Sequence, residues 1–166
     1  MPNLPVSIRG FREEDFESLY TIDQICFPAH IAFSRAELGF YLHHPKSITR
    51  VAEGLGGILG FVLARVEHLS CAHVITLDVV PEVRQRRIGT TLMNALHGVL
   101  KKRQIGTATL EVGVRNIAAQ RLYEKLQYRY LERLPGYYRG WEDAYRMARP
   151  VKTPGNASGC KLQTAD

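Results

Sequence analysis

The sequence predicts an α/β fold. One domain is expected, with a mixed central sheet of about six to seven strands flanked by about four helices. Three observations carry this expectation. Strand-like and helix-like hydrophobic periods alternate along most of the chain. A buried strand from His73 to Val80 runs through a basic loop straight into a helix, and such a crossover helix forces parallel neighbours. The 166 residues are enough for one sizeable core, and the composition is that of a globular protein.

The elements follow in order. Leu4 to Arg9 alternates as a first strand, with Val6 and Ile8 opposed to Ser7 and Arg9. Glu13 to Ile25 is helical, acidic in its first turn and apolar at Phe16, Leu19 and Tyr20. Ser34-Arg35-Ala36-Glu37 is a capping box that opens a short second helix, which Pro45 stops. Thr49 to Glu53 and Ile58 to Glu67 form a hairpin around Gly54-Leu55-Gly56-Gly57. The helix after the basic loop carries Ile88, Leu92, Leu96 and Val99 at helical spacing. Thr107 to Val114 is a strand, and Ile117 to Leu126 a short helix. Tyr128 to Leu134 and Asp143 to Arg149 are closing strands. The domain is expected over 1–150. Residues 151–166 lack periodicity and apolar mass, and we expect a disordered tail there.

Composition narrows the function. No apolar run approaches the ~20 residues of a membrane span, and the N-terminal segment has no signal-peptide core, so we expect a cytoplasmic protein without membrane contact. The three cysteines, Cys26, Cys71 and Cys160, lack metal-ligand spacing; we expect free thiols and no metal. The net charge is +6. Arg84, Arg86, Arg87, Lys101, Lys102 and Arg103 flank a single helix. That concentration fits a bound polyphosphate better than a nucleic-acid track, and no nucleic-acid module is recognisable.

The stretch Leu77 to Met93, LDVVPEVRQRRIGTTLM, is an anion site in outline. Backbone N–H groups of a helix's first turn lack partners, and the peptide dipoles add partial positive charge there. Arg84-Gln85-Arg86-Arg87-Ile88-Gly89 resembles the acyl-CoA pyrophosphate loop of the GCN5-related N-acetyltransferase (GNAT) family. Arg87 departs from it, standing where the family has its first Gly. If close backbone approach needs Gly there, Arg87 weakens cofactor binding; with a negative φ, Arg87 is tolerated and adds a cation. We expect the second.

Leu110 to Tyr128, LEVGVRNIAAQRLYEKLQY, resembles the family's other motif, so the likeness covers nearly the whole domain. Cys26-Phe27-Pro28, Gly136-Tyr137-Tyr138, Glu142 to Tyr145 and Met147 to Pro150 are similar to segments of RimI-type ribosomal-protein alanine acetyltransferases and archaeal protein N-terminal acetyltransferases. Gln127 stands where Gly is usual, which should alter a helix cap rather than chemistry.

The resemblance implies transfer of acetyl from acetyl-CoA to the α-amine of a protein or peptide N-terminus, a ribosomal protein if the enzyme is RimI-type, by a monomer or homodimer. It implies Glu111 and His73 as the proton-accepting pair and Tyr123 as the acid that protonates the departing thiolate. Leu77, Val79, Arg84, Gln85, Arg86, Arg87, Ile88, Gly89, Thr90, Asn116 and Tyr123 would hold acetyl-CoA. Phe27, Pro28, Tyr137 and Tyr138 would hold the acceptor. Each also has a plain structural reading. Glu111 would face solvent, His73 would end a strand, Tyr123 would pack beside Leu122, Asn116 would cap a helix, and the tyrosine pair would pack in a hairpin. Two other activities stay open: acetylation of a lysine side chain or small amine, and an acyl-CoA or ribosome-binding module without turnover. No cysteine lies in either motif, so direct transfer in a ternary complex is expected.

Overall fold

The computed structural model describes residues 5–68 and 70–151. Its elements are β1 (Ser7–Gly10), α1 (Phe16–Cys26), α2 (Arg35–His43), β2 (Ser47–Gly54), β3 (Gly57–His68), β4 (Cys71–Val79), α3 (Ile88–Lys102), β5 (Thr107–Gly113), α4 (Ile117–Lys125), β6 (Arg129–Tyr138) and β7 (Glu142–Pro150). Short 3-10 turns occupy Glu13–Asp15 and Pro81–Val83. The seven strands form one sheet in the order β1-β2-β3-β4-β5-β7-β6. Only β4 and β5 pair in parallel, across the α3 crossover. The α/β class, the element order and the parallel join agree with the sequence expectation. Leu4 and residues 152–166 of the expected tail lie outside the described residues.

The sheet buries both faces near its centre. Ile48, Ala52, Val62 and Ala64 share a core with Leu92, Met93, Leu96 and Leu100 of α3. Val51, Phe61 and Leu63 share the opposite core with Leu19 and Ile22 of α1 and Leu38 and Leu42 of α2. This is why β3 reads as a continuous apolar run rather than an alternating one. Gly60 is dictated by close approach: a Cβ there would collide with the Asp78 carbonyl oxygen. The Ser34 box is formed as expected, with Ser34 Oγ accepting from the Glu37 N–H at 3.2 Å.

Cys71 is disulfide-bonded rather than a free thiol, and Cys160 lies outside the described residues. Cys26 is free. Among the described residues no helix is long and apolar enough to cross a membrane.

Candidate active site

Strands β4 and β5 pair only from Cys71–Thr107 to Val74–Leu110. Beyond that point β4 continues to Val79 and β5 to Gly113 without partnering each other. A cavity of about 920 Å³ opens at this parting. Its size is that of a ligand cleft rather than a packing defect.

The wall gathers most of the residues singled out from the sequence: Phe27, His73, Leu77, Val79, Arg84, Gln85, Arg87, Ile88, Gly89, Thr90, Glu111, Asn116, Tyr123, Tyr137 and Tyr138. Arg86 is exposed and off the wall. Pro28 is also off it; its carbonyl accepts the N–H groups of Ile31 at 2.8 Å and Ala32 at 2.9 Å and so turns the loop.

At the basic loop, Arg87 is the N-cap of α3 with φ 63° and ψ 10°, and Gln85 also has φ 63°. The expected negative φ at Arg87 is therefore wrong. The loop keeps the left-handed backbone of a glycine at Arg87, and again at Gln85 two residues before it. No side chain caps α3, so the first-turn amides of Ile88, Gly89 and Thr90 have no helical partners. Arg84 Nε donates to the Val79 carbonyl at 3.0 Å, and Cys26 Sγ reaches the same oxygen at 3.3 Å. The Val79 carbonyl is thus engaged within the protein. Two wall cations on α4 were not singled out from the sequence: Arg121 and Lys125. Their i, i+4 spacing on α4 was the available signal.

Asn116 caps α4, its Oδ1 accepting from the Ala119 N–H at 3.2 Å, and also lines the cavity. Tyr123 is buried, with its ring edge-to-face on Tyr128 at 5.8 Å. Burial first, then the neighbouring Tyr138 and Asp78, push its phenol above the ordinary value, so it stays an O–H donor.

Glu111 is not solvent-facing: 7% of its side chain is exposed. Leu110 and Val112 point into the α3 core, so alternation turns Glu111 to the other face. There α1 packs on β3 and β4, and α2 on β2 and β3, which leaves the β5 position beyond their main contacts. A ladder of charges crosses the strands. Glu111 Oε2 bonds His73 Nε2 tightly. Glu111 Oε1 accepts from Arg146 Nε at 3.0 Å. His73 Nδ1 lies 3.5 Å from Glu67 Oε1, and Arg146 Nη1 donates to Glu132 at 2.6 Å. Burial alone would lower the His73 pKa, but Glu111 and Glu67 outweigh it and hold the imidazolium up to about 9. Burial likewise opposes the Glu111 charge, and His73 and Arg146 overcome it, keeping the carboxyl below its ordinary value. Glu67 and Arg146 escaped the sequence reading because they are distant in sequence and meet His73 and Glu111 only across strands.

Tyr137 and Tyr138 pack edge-to-face at 5.0 Å. They belong to β6 itself rather than to a connection. Burial, then the Glu111 charge, raise both phenols. Phe27, His30, Ile31, Phe33 and Tyr41 complete this part of the wall.

Residues 16–128 match the model of the acetyltransferase (GNAT) family. An N-alpha-acetyltransferase of Saccharolobus solfataricus is 29% identical over 160 residues, covering 87% of this chain and 93% of that one. An N-acetyltransferase of Methanocaldococcus jannaschii is 33% identical, covering 92% and 94%. The ribosomal-protein-S18-alanine N-acetyltransferase from Escherichia coli superposes with a TM-score of 0.82 at 25% identity, over 91% of this chain and 97% of that one. Ard1 from Thermoplasma volcanium gives 0.81 at 28% identity, over 89% and 99%. With the parted strands, the uncapped start of α3 and a family match spanning both, the chain belongs to the acetyltransferase (GNAT) family.

Proposed function

We propose that this acetyl-CoA-dependent N-acetyltransferase acts on the α-amine of a protein or peptide N-terminus. The carrying observation is the Glu111 carboxylate, held ionised at the cavity wall where β4 and β5 part, beside Tyr137 and Tyr138. The Saccharolobus and Escherichia relatives, named for α-amine and ribosomal alanine acetylation, support the same acceptor. An acetyl-CoA user needs a compartment that supplies acetyl-CoA, and we assign the cytoplasm.

The residues present fit acetyl-CoA, which supplies the reactive thioester. The free amides of Ile88, Gly89 and Thr90, with Arg84, Arg121 and Lys125 nearby, match a pyrophosphate and a further phosphate. The unpaired edges of β4 and β5 offer backbone groups to an amide-bearing arm. Tyr123 keeps its proton and can pass it to a leaving thiolate.

An α-amine has a pKa near 8, so roughly a tenth is neutral at pH 7 and only mild base help is needed. His73 is held protonated and cannot accept that proton in its resting state. Glu111 is the acceptor, directly or through one water, and His73 and Arg146 orient it. Transfer is direct. Cys26 is a free thiol on the wall, but burial raises its pKa and Sγ is committed to the Val79 carbonyl, so it is a poor nucleophile. The apolar acceptor wall of Phe27, Ile31, Phe33 and Tyr41 suits an apolar first side chain.

The test is CoA release with peptides bearing a free N-terminus, against the same peptides N-blocked but containing lysine. The panel spans Met-Leu and Ser-Glu starts and an alanine-initiated ribosomal peptide. Turnover with free N-termini only, strongest for apolar starts, is expected. Turnover of the blocked lysine peptides overturns the α-amine reading, and a preference for Ser-Glu overturns the apolar pocket.

A further inference from the structure

Two buried carboxyls, Asp23 on the cavity wall and Asp78 off it, have no part in the chemistry above. Asp23 sits on α1, 0% exposed, and Asp78 on β4, 1% exposed. One oxygen of each is well supplied. Asp23 Oδ2 accepts from the Phe33 N–H at 2.8 Å and from Gln24 Nε2 at 3.0 Å. Asp78 Oδ1 accepts from Thr76 Oγ1. The other oxygens, Asp23 Oδ1 and Asp78 Oδ2, find no donor among the described residues. Yet the two side chains are within hydrogen-bonding reach of each other. Two ionised carboxylates only accept, so such a contact needs a proton. Burial drives the same way, because it disfavours two adjacent negative charges.

The pair joins two parts of the site. The Asp23 main-chain carbonyl accepts the Phe27 N–H at 3.1 Å, and its carboxylate accepts the Phe33 N–H. Gln24 Nε2 also donates to the Phe33 carbonyl at 2.8 Å. Both ends of the segment 27–33, which carries Phe27, His30 and Ile31 to the cavity wall, are therefore tied at Asp23 and its neighbour. Asp78 immediately precedes Val79, whose carbonyl holds Arg84 of the phosphate loop. The groups facing the pair are Cys26 from α1, Glu37 from α2, Thr76 from β4, Arg84 from the loop and Tyr123 from α4.

We propose that Asp23 and Asp78 share one proton, and that this acid–carboxylate bridge positions the acceptor segment 27–33 against the cofactor strand β4. Asp78 donates and Asp23 accepts, so the bridge holds one negative charge instead of two. Loss of the proton leaves two buried anions in repulsion and loosens the segment. The positioning half rests on the reading of 27–33 as an acceptor wall; the shared proton does not.

Two measurements test it. Infrared difference spectra of the whole protein at neutral pH should contain a protonated-carboxyl C=O band that disappears in Asp78→Asn. The acceptor-peptide KM should rise about tenfold in the wild type as the bridge deprotonates at alkaline pH, with kcat and acetyl-CoA affinity changed much less. In Asp78→Asn the amide donates permanently to Asp23, so the rise in KM should be absent while activity at neutral pH is retained. Absence of the infrared band in the wild type overturns the shared proton, whatever the acceptor proves to be. An alkaline rise in KM that is the same in Asp78→Asn and wild type overturns the positioning role. If the band is present but no peptide is acetylated, the shared proton stands, and the α-amine reading and the positioning role built on it both fail.

Discussion

At the residue scale, Glu111 and His73 show how geometry chooses between chemically similar candidates. Both met the requirement of a polar group beside the parting strands, and sequence alone left either as base. Their mutual contact is the ground for the base proposed above: a buried imidazole between two carboxylates, Glu111 and Glu67, is held charged up to about 9. In that proposal the unprotonated group of the pair at neutral pH is the Glu111 carboxylate, with His73 and Arg146 on its two oxygens. Glu111→Gln keeps the shape and removes the base, and its expected effect is a fall in kcat of about 100-fold. Acetyl-CoA binding should be nearly unchanged, because the first-turn amides of Ile88, Gly89 and Thr90 lie elsewhere. Steady-state kinetics with equilibrium CoA binding checks this. A variant with full kcat would remove Glu111 from the chemistry.

At the element scale, two of the helices that border the cavity, α3 and α4, have a terminus where a long side chain occupies left-handed backbone. Arg87 caps the start of α3 at φ 63°, and Gln127 follows the end of α4 at φ 68°. The α4 terminus is a Schellman motif: the Tyr128 N–H reaches the Tyr123 carbonyl at 3.0 Å, and the Gln127 N–H reaches Glu124 at 2.9 Å. Left-handed backbone is disfavoured for an L side chain by roughly 1–2 kcal/mol, partly offset in a Gly variant by the freer unfolded chain. Gln127→Gly should therefore raise stability by about 0.5–1 kcal/mol with unchanged CoA affinity. Arg87→Gly should give a similar gain in stability but weaken CoA about two- to fivefold at low salt, a difference that shrinks as salt rises. Thermal unfolding and CoA titration separate the two variants. The boundaries of these helices were legible from Asn116, the apolar stripe of α3 and the basic loop. The sign of φ at Arg87 was not, because positive φ leaves a compositional mark only when Gly or Asn fills the position. The ladder through Glu67 and Arg146 was also hidden, since it depends on the register of β3, β4, β5 and β7. Asp23 gave no warning either: it sits on the same helical face as Leu19 and Ile22, and the Phe33 N–H that its carboxylate accepts lies ten residues on, across a loop.

At the scale of the whole molecule, polar groups are buried on both faces of the sheet, and their protonation ties stability to pH in opposing ways. Asp23 and Asp78 lie in the α1 layer. On the α3 side, His97 Nε2 bonds the Tyr128 hydroxyl at 2.8 Å, and Arg149 Nη1 lies 3.4 Å from Nδ1. Burial, then the Arg149 charge, lower His97 from 6.5 to about 4. The fold thus refuses a proton that the unfolded chain takes up below pH 6.5. The stability that this withholds is intact above 6.5 and is lost progressively as pH falls to about 4, by up to about 3 kcal/mol. His73 acts with the opposite sign. Its pKa is raised, so its contribution is full below 6.5 and is lost as pH climbs through about 9. The raised carboxyls of Asp23 and Asp78 favour the fold at acid pH and oppose His97 over an overlapping window. A raw stability profile therefore mixes these effects, and a difference between two proteins isolates one. His97→Gln has no titrating ring. Relative to the wild type, its urea-unfolding free energy should be offset by a constant above pH 7. It should then gain on the wild type by up to about 3 kcal/mol as pH falls from 6.5 to 4. A pH-independent difference across that window would mean that His97 takes up its proton in the folded state, and that Tyr128 and Arg149 rearrange to admit it.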